Sequence, residues 1–278
     1  MKNYYINPLS IWLSIQYSRY ICRTNYTQMN YLETERLILR PFAEQDTESL
    51  FIILSDVEVN AFLPMFPLKD IEEAKTYLAD CNQYSGEFSV ERIRNLLSLL
   101  GNPQDQLTFV HIAGTNGKGS VLAYVSTVLK EAGYKVGRYI SPTIFSYRER
   151  IQVNESYISR EELIRLTEKV KAAGDQLLAE GRQHPTMFEM ETAIAFLYFA
   201  EQNCDLVVLE VGMGGRLDAT NVIRNTKVAV LASISMDHMG FLGDTLAEIA
   251  ACKAGIIKPD TTVVSMRQQP EAMEVIRQ

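Results

Sequence analysis

A glycine-rich segment with one lysine stands between a predicted strand and a predicted helix. Backbone amides in that position can wrap phosphate oxygens, next to a helix N-terminus that carries partial positive charge. Glycines allow close approach and positive φ angles, and the lysine supplies a point charge for β- and γ-phosphates. The segment therefore predicts a phosphate site; the alternative is a tight turn with an incidental lysine. Its residues are Gly114, Thr115, Asn116, Gly117, Lys118, Gly119 and Ser120.

The spacing of this segment differs from the common G-x-x-x-x-G-K-[ST] loop. Gly119 follows Lys118 directly, and Ser120 comes one position later. This shortened form is more specific than a bare glycine loop. The nucleotide that it would hold is ATP.

Further polar residues stand just past the ends of predicted strands. Ser141 follows a strand ending at Ile140, Glu210 ends another, and Asp237 with His238 follow a third. The carboxyl ends of parallel strands meet at one edge of a sheet, where open α/β folds build their sites. A carboxylate, a hydroxyl and an imidazole there could hold Mg²⁺ that bridges ATP phosphates. The alternative for Glu210 alone is an ordinary capping acid.

The second part of the chain alternates apolar strands with helical patterns. Near-continuous apolar strands separated by helices predict an α/β fold, a parallel sheet with helices on both faces. The predicted strands are 107–112, 134–140, 205–211, 227–234 and 261–265, and the predicted helices are 120–132, 159–181 and 186–202.

Three segments are predicted along the chain. Residues 1–28 are rich in Tyr, Asn and Ser and form a poorly ordered leader or a misassigned start. Residues 29–80 form a short α+β fragment, with a strand over 37–41 and a helix after Asp46. Residues 81–278 form the α/β domain, and the join between the last two segments lies within 70–85.

The short fragment has a resemblance of its own. Residues 33–42 (ETERLILRPF), 55–60 (SDVEVN) and 62–64 (FLP) resemble the opening of GNAT-type N-acetyltransferases. That family holds acetyl-CoA with a later glycine-rich loop, which is not recognisable here. The fragment is therefore expected to be structural or vestigial.

Composition excludes several classes of function. The chain of 278 residues carries 27 basic and 34 acidic residues, a net charge of −7, which argues against nucleic-acid binding. Its four cysteines are scattered and its three histidines lack zinc spacing, as in a reduced cytoplasmic protein. The apolar stretch 6–21 is too short and too polar for a membrane span.

The α/β part is similar to folylpolyglutamate/dihydrofolate synthases, relatives of the Mur peptide ligases. The resemblance covers about 190 residues in ordered motifs. It implies a Mur-ligase central domain with its ATP site, lacking the family's C-terminal domain. The motifs are 109–120 (FVHIAGTNGKGS), 141–142 (SP), 147–154 (YRERIQVN), 186–189 (TMFE), 209–221 (LEVGMGGRLDATN), 237–238 (DH) and 253–259 (KAGIIKP).

The resemblance also implies roles for individual residues. Ser141, Glu210 and His238 match the family's metal ligands, and Asn221 is counted with the nucleotide-binding residues. Lys253, placed at a helix start, matches a carbamylated lysine that helps to place a metal. Lys118, Glu210, His238 and Lys253 would act in catalysis. Thr186, Phe188 and Glu189 match a substrate-side segment, where the ring of Phe188 stacks on a pterin or nucleotide or simply packs in the core.

The implied reaction joins L-glutamate to dihydropteroate or a folate through an acyl phosphate made with Mg-ATP. Water must be kept out of such a site. Three alternatives stay open: a non-catalytic Mg-ATP-binding fragment, an acetyltransferase remnant and a Mur-type cell-wall ligase. The expected partners are these small molecules, with no nucleic acid and no membrane, and the expected state is a monomer.

Overall fold

The computed structural model describes residues 32–33, 38–39, 44–56, 70–71, 89–143, 146–236 and 242–278. The chain divides into two compact units, Met1–Glu87 and Phe88–Gln278.

The first unit contains a short antiparallel strand pair and one helix in its described residues. Strand β1 (Leu32–Glu33) pairs with β2 (Ile38–Leu39), and helix α1 (Thr47–Ser55) follows a 3-10 turn at Glu44–Asp46. Strand β2 falls within the strand predicted over 37–41, whose other residues lie outside the described ones, and helix α1 is the helix predicted after Asp46. Most of the acetyltransferase-like stretch lies outside the described residues, so that resemblance stays a prediction.

The second unit is built on a seven-stranded sheet, in the order β6-β5-β4-β7-β3-β8-β9 among the described residues. Strands β4, β7, β3, β8 and β9 run parallel to one another, whereas β5 pairs antiparallel with both β4 and β6 at one edge. The strands are β3 (Phe109–Ala113), β4 (Val136–Tyr139), β5 (Ile151–Val153), β6 (Ser156–Tyr157), β7 (Leu206–Glu210), β8 (Thr226–Leu231) and β9 (Thr262–Ser265).

The predicted α/β class is confirmed, and the antiparallel edge is an addition that the sequence reasoning missed. Strands β5 and β6 hold only three and two residues, too few to show a period. The turn between them is Asn154-Glu155, and both residues have positive φ, 48° and 66°. Two central residues with positive φ make a tight hairpin, for which asparagine is a favoured residue.

Helices cover the sheet because its strands bury side chains in both directions. Along β3, Phe109 packs on one face, and Val110 and Ile112 pack on the other. Helices α2, α4 and α5 cover the face of Phe109, and α3 covers the opposite face. The helices are α2 (Glu91–Leu99), α3 (Lys118–Glu131), α4 (Arg160–Ala179), α5 (Met187–Glu201), α6 (Leu246–Ala254) and α7 (Pro270–Arg277).

Helix α2 was also not predicted. It is amphipathic, and Ile93, Leu96 and Leu97 are its buried residues. Helices α6 and α7 pack on each other beside the residues that follow β8. Within the described ranges, no helix is both long and apolar enough to cross a membrane.

Candidate functional site

The carboxyl ends of β3 and β7 lie side by side in the sheet, since Ile112 pairs with Glu210 in parallel register. The chain leaves β3 as the glycine loop, residues 114–117, and leaves β7 as a second turn, residues 211–214. A cavity of about 50 Å³ lies between them. It is lined by Gly114, Thr115, Lys118, Val211, Gly212, Met213, Gly214 and Lys253.

Two glycines of the loop have backbone conformations that other residues rarely adopt. Gly114 has a φ of 155°, and a Cβ built on it would lie 2.8 Å from the Ala232 Cβ. Gly117 has a φ of 86° and precedes the first residue of α3. Glycine is needed at the first position for space and conformation, and at the second for conformation.

The middle of the loop is fastened to the chain beyond β8. The amide of Thr115 donates to the Ser233 carbonyl over 2.7 Å, and the amide of Asn116 donates to the same oxygen over 3.3 Å. The Thr115 hydroxyl donates to the Ser235 carbonyl over 3.1 Å. These bonds fix the path of the loop between β3 and α3.

Two lysine side chains converge on the loop at the Gly114 carbonyl. The Nζ of Lys118 lies 3.1 Å from that oxygen and 3.2 Å from the Thr115 carbonyl. The Nζ of Lys253 lies 3.1 Å from the Gly114 carbonyl as well. Both lysines line the cavity, and Lys253 is only 2% exposed. Two ammonium groups at a small cavity favour an anionic ligand such as a phosphate.

The predicted position of Lys253 at a helix start was wrong. Helix α6 begins with a capping box, in which the Thr245 hydroxyl accepts from the Glu248 amide and Glu248 accepts in return. It ends at Ala254, so Lys253 belongs to its last turn. The Thr-x-x-Glu pattern at 245–248 was the available signal for the correct start.

Glu210 ends β7 as a buried carboxylate near the N-terminus of α3. A Cβ on Gly119 would lie 3.9 and 4.0 Å from its two carboxylate oxygens. The Ser141 amide donates to its Oε2 over 3.2 Å. Burial raises the pKa of Glu210, and the Ser141 amide and the Lys118 charge oppose that shift. The structure thus brings Glu210, Ser141 and the loop lysine together; His238 lies outside the described residues.

The predicted substrate-side segment forms the start of α5. The Thr186 hydroxyl accepts from the Glu189 amide over 3.3 Å, and the Glu189 carboxylate accepts from the Thr186 amide over 2.6 Å. Arg92 also donates to that carboxylate over 3.2 Å, with Glu189 buried. Thr186 and Glu189 therefore cap the helix.

Phe188 belongs to the wall behind the cavity. Its ring centroid is 6.2 Å from that of Tyr139, and its Cζ would lie 2.6 Å from a Cβ on Gly212. Of the two alternatives for this ring, packing is the one whose contacts are observed. Its stacking on a pterin or nucleotide stays a prediction.

Asn221 was predicted to bind the nucleotide, but its side chain makes hydrogen bonds to three other residues of the protein. Its Nδ2 donates to the carbonyls of Arg216 and Gly255, both over 3.0 Å, and its Oδ1 accepts from Lys258 over 2.8 Å. The side chain is buried, and these three bonds use its oxygen and nitrogen. A nucleotide role for Asn221 stays a prediction, and the observed contacts are structural.

Sequence reasoning missed a chain of buried polar groups behind the second turn. Asp218 accepts from the Met213 amide over 2.9 Å and from the Thr220 hydroxyl over 2.5 Å. Thr220 Oγ1 lies 2.9 Å from His111 Nε2. Burial, and then the charge of Lys258, lower the pKa of His111 to about 3. Asp218 lies in the motif at 209–221. No spacing pattern in the sequence links that motif to His111, which stands 109 residues before Thr220.

Comparison with known proteins finds a matching family and several relatives. The family described as the Mur ligase middle domain matches residues 112–277. A dihydrofolate synthase/folylpolyglutamate synthase of Bacillus subtilis is 42% identical over 207 residues, which are 74% of this chain and 48% of that protein. The chain thus spans about half the length of the curated relatives it matches.

Solved structures with nucleotides agree in fold. An FPGS–AMPPCP–folate complex is 40% identical with a TM-score of 0.65, over 68% of this chain and 46% of that one. Folylpolyglutamate synthase of Mycobacterium tuberculosis, complexed with ADP and AMPPCP, is 39% identical with a TM-score of 0.64. That match covers 74% of this chain and 48% of the other.

Proposed function

The chain belongs to the Mur ligase family through its middle domain, and from that premise we propose that it is the ATP-binding part of a folate ligase. The reaction is the ATP-dependent joining of L-glutamate to dihydropteroate or tetrahydrofolate. The observation that carries the proposal is the cavity between the two turns, where two lysine ammonium groups meet. Relatives named as folylpolyglutamate and dihydrofolate synthases support the substrates.

The donor set beside the cavity fits Mg²⁺. Glu210 offers a buried carboxylate, and the neighbouring Ser141, whose amide donates to that carboxylate, carries a hydroxyl. Oxygen ligands of this kind are what Mg²⁺ prefers, together with water and phosphate oxygens. The described residues contain no cluster of three or more His, Cys, Asp and Glu side chains. Glu210 and Ser141 would hold the ion, with His238 as a further ligand, and the ion would neutralise phosphate charge when bound.

The protein's own groups then position and stabilise the phosphates. Lys118 and the amides of the glycine loop orient the terminal phosphoryl group and balance the charge that develops on it. The substrate carboxylate takes that group and becomes an acyl phosphate, which the glutamate amine attacks with release of phosphate. A carboxylate alone is a poor acyl donor, so phosphorylation supplies the leaving group. Close packing of Phe188 against Gly212 helps to keep water from the cavity.

Lys253 has two possible parts in this scheme. As an ammonium group it binds phosphate beside Lys118. As a carbamate, the form that the family resemblance implies, it helps to place a metal, and the amine must first lose its proton in the buried site. Its burial at the cavity supports either role.

Binding without turnover is the second candidate function. The chain spans about half of its relatives' length, so the partner groups for folate and glutamate can lie elsewhere. A Mur-type peptide ligase and an acetyltransferase remnant at residues 29–80 are weaker alternatives. We also propose a monomer that works in the cytoplasm.

The test is ADP release from Mg-ATP, with and without glutamate plus dihydropteroate or tetrahydrofolate. We expect substrate-dependent release in the wild type, and a loss of about 10- to 100-fold in Lys118→Ala. Lys171→Ala is the matched control, because Lys171 is an exposed helix residue paired with Asp175. ATP binding without release would favour the binding fragment, and absence of binding in the wild type would refute both functions.

A further inference from the structure

We propose that Asp218, Thr220 and His111 form a positioning relay that fixes the second turn, residues 211–214, and so sets the affinity for the nucleotide's terminal phosphates. The second part rests on the proposed function, in which the cavity takes a phosphate. The relay lies behind the cavity, and none of its three residues lines it. They are positioning residues that act through the turn.

Asp218 holds the turn by its backbone. Its Oδ2 accepts from the Met213 amide over 2.9 Å, and the Gly212 amide also donates to this carboxylate. Its Oδ1 accepts from the amide and the hydroxyl of Thr220, over 3.0 and 2.5 Å. One buried carboxylate therefore joins the cavity wall to the 3-10 helix Ala219–Val222.

The direction of the hydrogen bonds follows from counting protons. Burial raises the pKa of Asp218, and the Thr220 hydroxyl and the amides of Met213, Thr220 and Gly212 oppose that shift by donating to the carboxylate. In the carboxylate form that these donors favour, Asp218 is an acceptor only, and the Thr220 hydroxyl has one proton to give. That proton goes to Asp218, so the oxygen of Thr220 accepts from His111 Nε2. His111 is therefore the Nε2–H tautomer. Its Nδ1 has no hydrogen-bond partner among the described residues, and the lowered pKa of the ring agrees with a neutral imidazole.

The turn has little room to relax if the relay is lost. A Cβ on Gly212 would lie 2.6 Å from Phe188 Cζ and 3.1 Å from Asp218 Oδ2. Gly214 has a φ of 70°, and its Cβ would lie 2.8 Å from a methyl carbon of Leu242. A shifted turn would also take the amides of Gly212 and Met213 away from the Asp218 carboxylate that accepts from them, which is costly. Because residues 211–214 line the cavity together with Lys118 and Lys253, a displaced turn changes the shape of the cavity.

The first experiment measures the turn itself, without nucleotide. Amide hydrogen exchange at Gly212 and Met213 is compared with that at Val211, whose amide donates to Ile112 in the sheet over 3.0 Å. In Thr220→Val we expect exchange at Gly212 and Met213 to be at least about 10-fold faster, with Val211 unchanged. Thr220→Ser, which keeps the hydroxyl, should restore slow exchange.

The second experiment measures binding of Mg-ATP and of AMP to the same variants by calorimetry. We expect Thr220→Val to weaken Mg-ATP about 10-fold and AMP little, because the relay acts at the terminal phosphates. The matched control is Thr226→Val. Thr226 is buried, and its hydroxyl has no hydrogen-bond partner among the described residues, so its removal leaves both affinities unchanged.

The outcomes separate this proposal from the proposed function. Unchanged exchange at Gly212 and Met213 in Thr220→Val would overturn the relay. Faster exchange with an unchanged ratio of Mg-ATP to AMP affinity would overturn its role in phosphate binding. A wild type that binds no nucleotide would refute the proposed function and the affinity effect, while the exchange data would still decide whether the relay anchors the turn.

Discussion

Two turns leave neighbouring parallel strands at the same edge of the sheet, yet they are held in different ways. The glycine loop after β3 is fixed by backbone bonds to Ser233 and by glycine conformations. The turn after β7 is fixed by the buried side chain of Asp218, to which the Thr220 hydroxyl donates in turn. The glycines of the first turn stand close together in the sequence, although its anchor at Ser233 does not. In the second turn the bonds of Asp218 are local, and the contact of Thr220 with His111 joins residues 109 positions apart.

The largest effect is expected where the glycine loop has no space. Gly114→Ala would place a Cβ 2.8 Å from the Ala232 Cβ at a φ of 155°. Crowding and the unfavourable backbone angle together should lower the free energy of unfolding by about 4 kcal/mol. Urea denaturation followed by circular dichroism measures this.

Gly101→Ala is the control for that experiment. Gly101 also has a positive φ, 82°, but a Cβ there would meet no atom within 4 Å. Only the unfavourable backbone conformation remains in Gly101→Ala, so the free energy of unfolding should fall by about 1 kcal/mol. Equal losses for the two variants would show that Ala232 yields, and that crowding does not fix the loop.

The chain that follows the second turn should be destabilised most by a change at Asn221, whose side chain joins it to the residues after helix α6. Asn221→Ala removes the Nδ2 donor from the carbonyls of Arg216 and Gly255, and it removes the shorter of two bonds from Lys258, which keeps the backbone carbonyl of residue 221 at 3.4 Å. The loss of three hydrogen bonds by part-buried groups is costly, so the free energy of unfolding should fall by about 3 kcal/mol. The control is Asn225→Ala, an exposed asparagine with bonds to Leu107 and Thr108, for which about 1 kcal/mol is expected.

Nucleotide affinity measured on the same variant tests whether Asn221 binds the nucleotide, the role predicted from the sequence. Because its polar atoms contact protein groups, the ratio of Mg-ATP to AMP affinity should be unchanged in a variant that still folds. A selective loss of Mg-ATP affinity, with little loss of stability, would restore Asn221 as a nucleotide ligand.

The difference between the turns also explains what could be predicted. Glycines around Lys118 pointed to the loop because local spacing carries its geometry. Strand and helix patterns placed Glu210 and Ser141 at one edge, since parallel strands must end together. The relay of Asp218 and His111 had no such signal, because only the parallel pairing of β3 with β7 brings β3 beside the second turn.

For the fold as well, the elements with a local sequence pattern are the ones that could be predicted. Helices α3, α4 and α5 and the parallel strands are long enough to show a period. Strands β5 and β6 are too short, and their hairpin depends on the φ angles of Asn154 and Glu155. Lys253 was misplaced because the cap at Thr245 was overlooked.

A titration tests the buried histidine behind the second turn. Burial lowers the pKa of His111 from 6.5 to about 3. The unfolded chain takes up a proton below pH 6.5, whereas the folded protein does not until about pH 3. Stability from this group is therefore present above pH 6.5 and is lost as the pH falls towards 3. At about pH 5 the loss should be about 2 kcal/mol.

The comparison is with His111→Gln, whose amide can still donate to Thr220 but does not titrate. Burial raises the pKa values of Asp218 and Glu210, which acts in the opposite direction. Both carboxylates are present in both proteins, so the difference between the two pH dependences isolates His111. Parallel stability curves between about pH 7.5 and pH 5 would contradict a neutral, buried imidazole.

The smallest effect on stability is expected for alanine at Gly117 or Gly133. This pair separates the stability of the glycine loop from its affinity for Mg-ATP. Gly117 and Gly133 stand at opposite ends of α3 with similar φ values, 86° and 93°, and a Cβ on either would meet nothing within 4 Å. Alanine at each position should therefore cost about 1 kcal/mol through strain alone. Gly117 precedes Lys118, so its variant turns the loop amides away from the phosphates and lowers Mg-ATP affinity. Gly133→Ala should leave that affinity unchanged, and equal affinities in calorimetry would mean that the phosphates do not lie on this loop.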